Sequence, residues 1–480
     1  MRKIAWDDRA RLWGDDSVVL GGAPWGLLKI TQAGRPFVRR LRDAGECGVT
    51  PAPGLEQTLG DLLLARGIVH PLIDGGHSGT GLDVNIVVPC YERPELLDAC
   101  LDSLRRTAPD ARIIVVDDAS PSAAVGAVAR SHGATLVRHE ANRGPAAARN
   151  TGLREAHSAL VVFIDADCVA MPGWLSTVTA HFEDPRVAAV SPRIMSRSGR
   201  RSLLARYESV RSALDMGPRP ELVKPGAPLG FLPSAALAVR VTALDPDPFD
   251  ERLRVGEDVD LVWRLTDAGA LVRYEPRAVV THEIRPAARA WAAQIFGYGT
   301  SAAELDRRHP GRLTPARLTS WNVVAAVLTV KRQPKAAAAV LGVAAVGRIR
   351  MLRNSAVDPR VTAVVMGKSL MSDATAIGHL LRREWWPIGW LVVTAAARSR
   401  GARAAAAVMV VPLIGEWLSR RPTVDLPRYL LLHLIEDAAY GSGVIVSAVR
   451  SRRPGVLLPY VRLKPNQRPS AQKKPRALSL

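Results

Sequence analysis

Ala159-Leu160-Val161-Val162-Phe163-Ile164-Asp165-Ala166-Asp167 is the stretch that decides how this chain is read. Its first six residues are apolar and read as a strand buried on both faces. Two carboxylates stand at the C-terminal edge of that strand. In open α/β sheets the ligand crevice lies outside that edge. Two carboxylates two residues apart suit a hard divalent cation, which one or two protein carboxylates and a substrate's phosphates hold together. Asp-x-Asp by itself is common on surface loops, where it has no such role, so the surrounding sequence has to carry the rest.

Upstream, Ile86-Val87-Val88-Pro89 reads as a strand, followed by a helix through Leu96, Leu97, Cys100 and Leu104. Ile113 to Val116 and Ala134 to Val137 read as further strands. Arg143 to Glu155 reads as a helix leading to the strand before Asp165. This βαβα order implies an α/β domain with a mostly parallel sheet covered by helices. Polar signals fall at its strand ends and helix starts: Pro89-Cys90-Tyr91-Glu92-Arg93-Pro94, Asp117-Asp118-Ala119-Ser120, and Asn142-Arg143-Gly144-Pro145 opening a helix that holds Arg149. Downstream come Gly256-Glu257-Asp258-Val259-Asp260, with Arg264 one turn later, and His282 beyond. Each has a plain structural alternative. Asp117 and Asp118 can cap a helix, acids at a helix start complement the dipole, and a lone His often satisfies a local hydrogen bond. Arg264 is expected to pair with an acid of its own helix.

At 480 residues the chain exceeds one ordinary core, so two or three domains are expected. Its four cysteines, Cys47, Cys90, Cys100 and Cys168, have no metal-site spacing and no disulfide pattern, which fits a reducing cytosol. Met1 to Asp8 contains no apolar run, so no secretory signal is expected. The net charge of +20 points to an anionic partner without choosing among nucleic acid, anionic lipid and a phosphorylated substrate.

Residues 1–76 read as a small winged-helix-like domain: short strands at Ser17 to Leu20 and Gly26 to Ile30, a helix capped by Thr31, a second helix from Leu55, and a returning strand at Ile68 to His70. Residues 77–83 read as a Gly-rich linker, 84–305 as the α/β domain, 306–463 as a helical region and 464–480 as a disordered basic tail. In the helical region, apolar stretches at 322–330, 336–346, 388–397 and 404–414 are each broken by Arg, Lys, Pro or Glu before about 18 residues, the length that spans a bilayer. Buried bundle helices or membrane-surface segments are therefore expected. Trp385, Trp386 and Trp390 beside Arg382 and Arg383 suit a headgroup boundary, and the basic tail suits anionic lipid.

Taken together and in this order, the motifs of residues 83–300 resemble family 2 of the glycosyltransferases, with the GT-A fold. The resemblance implies a nucleotide-sugar donor over the C-terminal edge of the sheet. Pro89, Tyr91 and Glu92 would border the nucleoside. Asp118 matches the family's uracil-side acid, with Asp117 beside it. Arg143 and Arg149 sit where basic side chains approach the donor. Asp165, Ala166 and Asp167 match the donor- and metal-binding triplet, and His282 a third ligand to Mn²⁺ or Mg²⁺. Asp258 matches the catalytic base, with Glu257 and Trp291 on the acceptor side. One base and one displacement would invert the anomeric centre. Arg289-Ala290-Trp291 with Gln294 departs from the Gln-x-x-Arg-Trp signature of processive members, which disfavours bulk polysaccharide export.

The opening Trp6-Asp7-Asp8-Arg9-Ala10-Arg11-Leu12, then Gly21-Gly22-Ala23-Pro24-Trp25, and the Ala/Arg-rich C-terminal part resemble the glycosyltransferases of the mycofactocin system. That implies β-1,4-linked glucose, from UDP-glucose, on premycofactocin or another small peptide-derived acceptor. It places the protein on the cytoplasmic side of the membrane, peripherally or through weakly inserted helices. Residues 1–76 would then hold the acceptor or cover the donor domain as a structural lid. A lipid-linked or cell-envelope glycan acceptor is the alternative, and a nucleotidyltransferase a distant one. Nucleic acid is not expected, because Asp7, Asp8, Asp15 and Asp16 cluster where a phosphate backbone would need cations.

Overall fold

The computed structural model describes residues 2–73, 83–197, 202–283, 287–353 and 359–462. The expected linker, apart from Asp83, and the expected tail at 464–480 lie outside the described residues. Contacts divide the chain into two compact units. The first is Met1–Arg200 with Arg211–Ile284, and the second is Arg201–Val210 with Arg285–Leu480.

The first unit begins with β1 (Ile4–Trp6), β2 (Arg11–Trp13), β3 (Val18–Gly21), β4 (Gly26–Lys29), α1 (Arg35–Ala44), α2 (Leu55–Ala65) and β5 (Val69–Pro71). Strands β2, β3 and β4 form an antiparallel meander, and β5 returns to pair with β1. The sequence reading does not assign β1 and β2. At three residues each they are too short for alternation to show. Thr31 makes no capping hydrogen bond, because a 3₁₀ turn over Gln32–Gly34 precedes α1. Ile4, Val19, Phe37, Val38, Leu41, Leu63 and Val69 form the module's core.

The α/β domain follows with β6 (Val84–Cys90), α3 (Pro94–Thr107), β7 (Arg112–Asp117), α4 (Ala124–Ser131), β8 (Thr135–Arg138), α5 (Pro145–Arg154), β9 (Leu160–Ile164), β10 (Cys168–Ala170), α6 (Trp174–Thr179) and β11 (Val187–Arg197). After the second unit's α7 (Leu203–Glu208) come β12 (Glu221–Val223), β13 (Ala236–Arg240), α8 (Glu257–Asp267) and β14 (Leu271–Glu283). The sheet order is β10-β14-β11-β13-β9-β6-β7-β8, with β12 on β14. Strands β9, β6, β7 and β8 are mutually parallel, as are β11 and β14, while β13 runs antiparallel between the two blocks.

The chain builds β6, β7 and β8 in one direction and then returns to lay β9 on the other side of β6. That reversal is a topological switch point, and the carboxyl ends of β6 and β9 open a crevice there. Helix α5 can lie against this block because Gly152 faces β6. A Cβ at that position would come within 2.2 Å of the Val87 side chain.

The N-terminal module belongs to the same unit but packs at the other end of the sheet. Arg9 bonds Glu221 at the start of β12, and Ala23 joins Leu222 in the main core. Arg277 donates to the Ile73 carbonyl. The module therefore does not cover the mouth at Asp165, as a lid would.

In the second unit, α9 (Ala288–Thr300), α10 (Ala302–Arg308), β15 (Arg317–Thr319), α11 (Ser320–Val330), α12 (Pro334–Arg353), α13 (Pro359–Arg382), α14 (Trp386–Ala395), α15 (Arg400–Arg420), α16 (Leu426–Arg450) and β16 (Tyr460–Arg462) follow one another. The expected breaks do not interrupt α15, which runs through Pro412 and Glu416. Both α15 and α16 are long and apolar enough to cross a membrane. Arg382 is corrected from a headgroup residue to a buried one. It is 5% exposed and ion-paired to Asp437 at 2.9 Å. Trp385 and Trp386 donate their indole N–H groups to Leu457 and Ser442, while Trp390 stays 51% exposed.

Candidate active site

Strand β9 is fully buried and ends at Ile164, so Asp165, Ala166 and Asp167 emerge half-buried at the switch point. The Asp165 amide bonds the Ala235 carbonyl, and the Asp165 carbonyl accepts from Cys168, which turns the chain straight into β10. Strand β10 pairs antiparallel with β14 and sets Cys168 opposite His282. This register brings His282 Nε2 to 3.3 Å from Asp167 Oδ2. Arg93, at the mouth of β6, lies 3.8 Å from the same oxygen. Burial works to raise the Asp167 pKa, but the His282 hydrogen bond, the His282 charge and Arg93 hold it below the usual carboxylate range.

Arg149 projects from α5 into the interior and joins two motifs. It donates to Asp165 Oδ1 and to Glu257 Oε1, both at 2.8 Å, with its guanidinium 5.6 Å from the Phe249 ring centroid. One buried cation thus serves two acids and faces Asp258 nearby. The balance is short of positive charge: burial first, then Asp258, pushes Glu257 up to about 7 despite Arg149. The Arg149 side chain is 4% exposed, so it organises the acids from beneath and does not reach out toward a donor.

Helix α8 starts at Gly256, whose φ of +87° is the left-handed turn a glycine accommodates. Its first turn carries three acids with different environments. Glu257 is buried against Arg149. Asp260 is 1% exposed and ion-paired to Arg264 at 2.9 Å, as expected for that arginine. Asp258 is half-buried, has no cationic partner among the described residues, and accepts hydrogen bonds from the Ser234 and Val259 amides. It is the least buried acid of this turn.

The acids after β7 are placed differently. Asp117 accepts from the Ser120 amide and from Arg138. Asp118 accepts from the Arg143 and Gly144 amides, each at 2.8 Å, and contacts His139 Nδ1 at 2.7 Å. Both carboxylates are therefore engaged inside the protein, and Asp118 fixes the turn that opens α5. Arg143 is exposed and pairs with Glu251. Pro89 is half-buried at the end of β6, and Tyr91 and Glu92 are exposed. Glu92 and Arg93 both have positive φ, +59° and +57°, a strained backbone of the kind found at ligand mouths. Trp291, expected on the acceptor side, lies instead in the core of the second unit, 3% exposed with its indole N–H on Glu208.

Two contributors escaped the sequence reading. Arg93 stands in a quoted motif but carries no signal that points it at Asp167; the left-handed turn does that. Asn150 clamps the segment before α8 through both the carbonyl and the amide of Phe249. Among the described residues no group of three His, Cys, Asp or Glu side chains is gathered as a ready cation cage. Asp167 and His282 do offer an oxygen and a nitrogen on adjacent strands, which fits a cation that completes its shell with diphosphate oxygens.

The chain is similar to known proteins, in one case along nearly its whole length. Residues 85–241 match the family described as glycosyl transferase family 2. The chain is 35% identical over 472 residues to a pre-mycofactocin glycosyltransferase of Mycobacterium tuberculosis, covering 95% of this chain and 97% of that protein. It is 25% identical over 203 residues to a poly-β-1,6-N-acetyl-D-glucosamine synthase of Staphylococcus epidermidis, covering 41% of this chain and 48% of that one. Among solved structures, a mannosyltransferase of Pyrobaculum calidifontis in complex with GDP-Man and Mn²⁺ is 18% identical with a TM-score of 0.44, over 79% of this chain and 89% of that one.

Proposed function

We propose a donor, an acceptor and a mechanism from one premise: this chain belongs to family 2 of the glycosyltransferases. It is a hexosyl-transferring enzyme with the family's GT-A fold, which sets the nucleotidyltransferase alternative aside. The reading is that it moves glucose from UDP-glucose onto premycofactocin, with inversion, building a β-1,4-linked chain. One observation carries the acceptor. The similarity to the Mycobacterium tuberculosis enzyme runs through 95% of this chain, so it includes the N-terminal module and the helical unit as well as the α/β domain.

Asp167 and His282 would hold Mn²⁺ or Mg²⁺, whose charge stabilises the departing diphosphate. Arg93, beside Asp167, adds a second positive charge at the same place. Tyr91 offers an exposed ring to the nucleobase, and Asp118 fixes the Arg143-Gly144 turn that borders it. Arg149 keeps Asp165 and Glu257 in position. Asp258 takes the proton of the acceptor hydroxyl as that oxygen bonds to the anomeric carbon and the sugar–phosphate bond breaks.

The test is transfer of labelled glucose from UDP-glucose to premycofactocin with Mn²⁺, alongside Asp167→Ala. Metal-dependent label on the acceptor, lost in the variant, is expected. UDP release without labelled acceptor would reject the acceptor, and no UDP release would reject the donor.

A second reading, a lipid-linked acceptor, rests on the exposed apolar side chains of the helical unit. Leu391 is 68% exposed, and Val411 and Leu418 are 60% each. The same surface supports peripheral attachment to an anionic membrane on its cytoplasmic side. Full transfer to a soluble acceptor without lipid, and no sedimentation with anionic vesicles, would count against both.

A further inference from the structure

The end of β14 remote from His282 carries a buried cation that its surroundings leave unpaired. Arg273 is 2% exposed, and its Nε has no hydrogen-bond partner. Among the described residues its guanidinium makes no ion pair. Burial lowers its pKa to about 10, so the group is charged at neutral pH. The acids closest to it are committed elsewhere. Asp184 accepts from Arg186 Nε and NH2 at 2.9 and 2.8 Å. Glu275 accepts from Arg277 at 2.9 Å and contacts His181 Nε2 at 3.0 Å. Asp184 and Glu275 attract it through space, yet neither bonds it, and a buried charge whose donors lack partners is costly.

Arg273 is also one of the residues that line a cleft of about 300 Å³ between the N-terminal module and the sheet. Ile4, Pro51, Leu64 and Pro71 of the module line it together with Arg2 and Arg186. Arg2 is held by Glu183 at 2.9 Å and Arg186 by Asp61 at 2.9 Å. Those two acids are 55% and 46% exposed and form a solvated rim, while Asp184, 15% exposed and paired with Arg186, also lines the cleft and attracts Arg273 without a hydrogen bond to it.

We propose that this cleft is a second ligand site, which takes a monocarboxylate with an apolar body, such as the C-terminal end of a peptide, with the carboxylate on Arg273 and the body against Ile4, Pro51, Leu64 and Pro71. A planar guanidinium matches a carboxylate as a two-toothed donor. Arg2 and Arg186 are already paired with acids, so Arg273 is the one cation left to offer, which favours a monoanion over a dianion such as phosphate. Arg273 and His282 lie nine residues apart on β14, roughly 30 Å at about 3.3 Å per residue, somewhat less across the bulge near Pro192. The ligand is therefore neither the donor nor the reacting hydroxyl. Bound there, it would tie the module to the sheet.

The experiment is calorimetric titration of the full chain with N-acetyl-L-leucine, with N-acetyl-L-leucinamide and with inorganic phosphate, on wild type, Arg273→Met and Arg273→Lys. N-acetyl-L-leucine is expected to bind saturably. Binding should be about tenfold to a hundredfold weaker for the amide and in Arg273→Met, the loss that goes with one charge-assisted pair. Arg273→Lys, which keeps the charge but not the fork, should lose less. The proposal is overturned if the amide binds as well as the acid, if phosphate binds more tightly, if Arg273→Met binds unchanged, or if wild type shows no saturable binding. The acid–amide comparison on wild type decides even if the variants fail to fold.

Discussion

Two pairs of acids stand at the carboxyl ends of the parallel strands on either side of β6 and look alike in sequence. Asp117 and Asp118 end β7, while Asp165 and Asp167 follow β9. Their side chains are 0% and 6% exposed in the first pair, and 32% and 21% in the second. The first pair accepts the Ser120 amide of its own loop, Arg138 of β8, and the Arg143 and Gly144 amides and His139 that follow β8, which occupies it within the protein. In the second, Arg149 occupies one oxygen of Asp165, and Asp167 keeps a face toward His282 and the crevice. A carboxylate at a strand end becomes a ligand site only when local backbone donors do not use it up.

Substitutions can break or sharpen that contrast. The largest effect is expected at Asp258, where Asp258→Asn should lower kcat by about 10²- to 10⁴-fold with donor affinity retained, as removal of a general base does. Equal loss of donor binding would reassign the residue. Asp167→Asn should cost about 10²- to 10³-fold in transfer and raise the Mn²⁺ concentration needed for half-maximal rate. A metal titration with an unmoved midpoint would remove Asp167 from the cation site. Asp118→Asn should act on folding, lowering unfolding free energy by about 3 kcal/mol through lost acceptors for the Arg143 and Gly144 amides. Urea unfolding measures it, and transfer per folded molecule should remain near wild type. A stable but inactive Asp118→Asn would erase the distinction between the two pairs.

The smallest effect concerns pH. Burial and Asp258 raise Glu257 from 4.5 to about 7, so the folded protein holds this proton more tightly than the unfolded chain. Its contribution is fully present below about pH 4.5 and is lost as pH rises through about 7. The stability difference between wild type and Glu257→Gln should therefore shift by about 2–3 kcal/mol across that window, with wild type losing ground as pH rises. Parallel pH profiles for the two proteins would show that Glu257 titrates normally.

Much of this was legible in the chain. Continuous apolar runs such as Ile113 to Val116 and Leu160 to Ile164 read as buried strands, and their alternation with helical stretches implies parallel neighbours. The pairing of Arg264 with an acid of its own helix followed from one-turn spacing. Arg382, Trp291 and α15 were less legible. A long side chain can lie at a surface or pair inward, and Pro412 does not stop a helix that packing sustains.

The sequence by itself determined the order of strands and helices, the motifs that identify the family, and the carboxylates at the strand ends, because periodicity and local chemistry are written residue by residue. Only the tertiary structure decided which carboxylates stay open, that Arg149 reaches 108 residues along the chain to Glu257 while also holding Asp165, and that His282 meets Asp167. It also decided that Arg273, buried at the far end of β14, makes no ion pair among the described residues. Those outcomes depend on register and on which donors arrive from distant segments. A charge's partner, and hence its role, is set by the pairing of strands far apart in the chain.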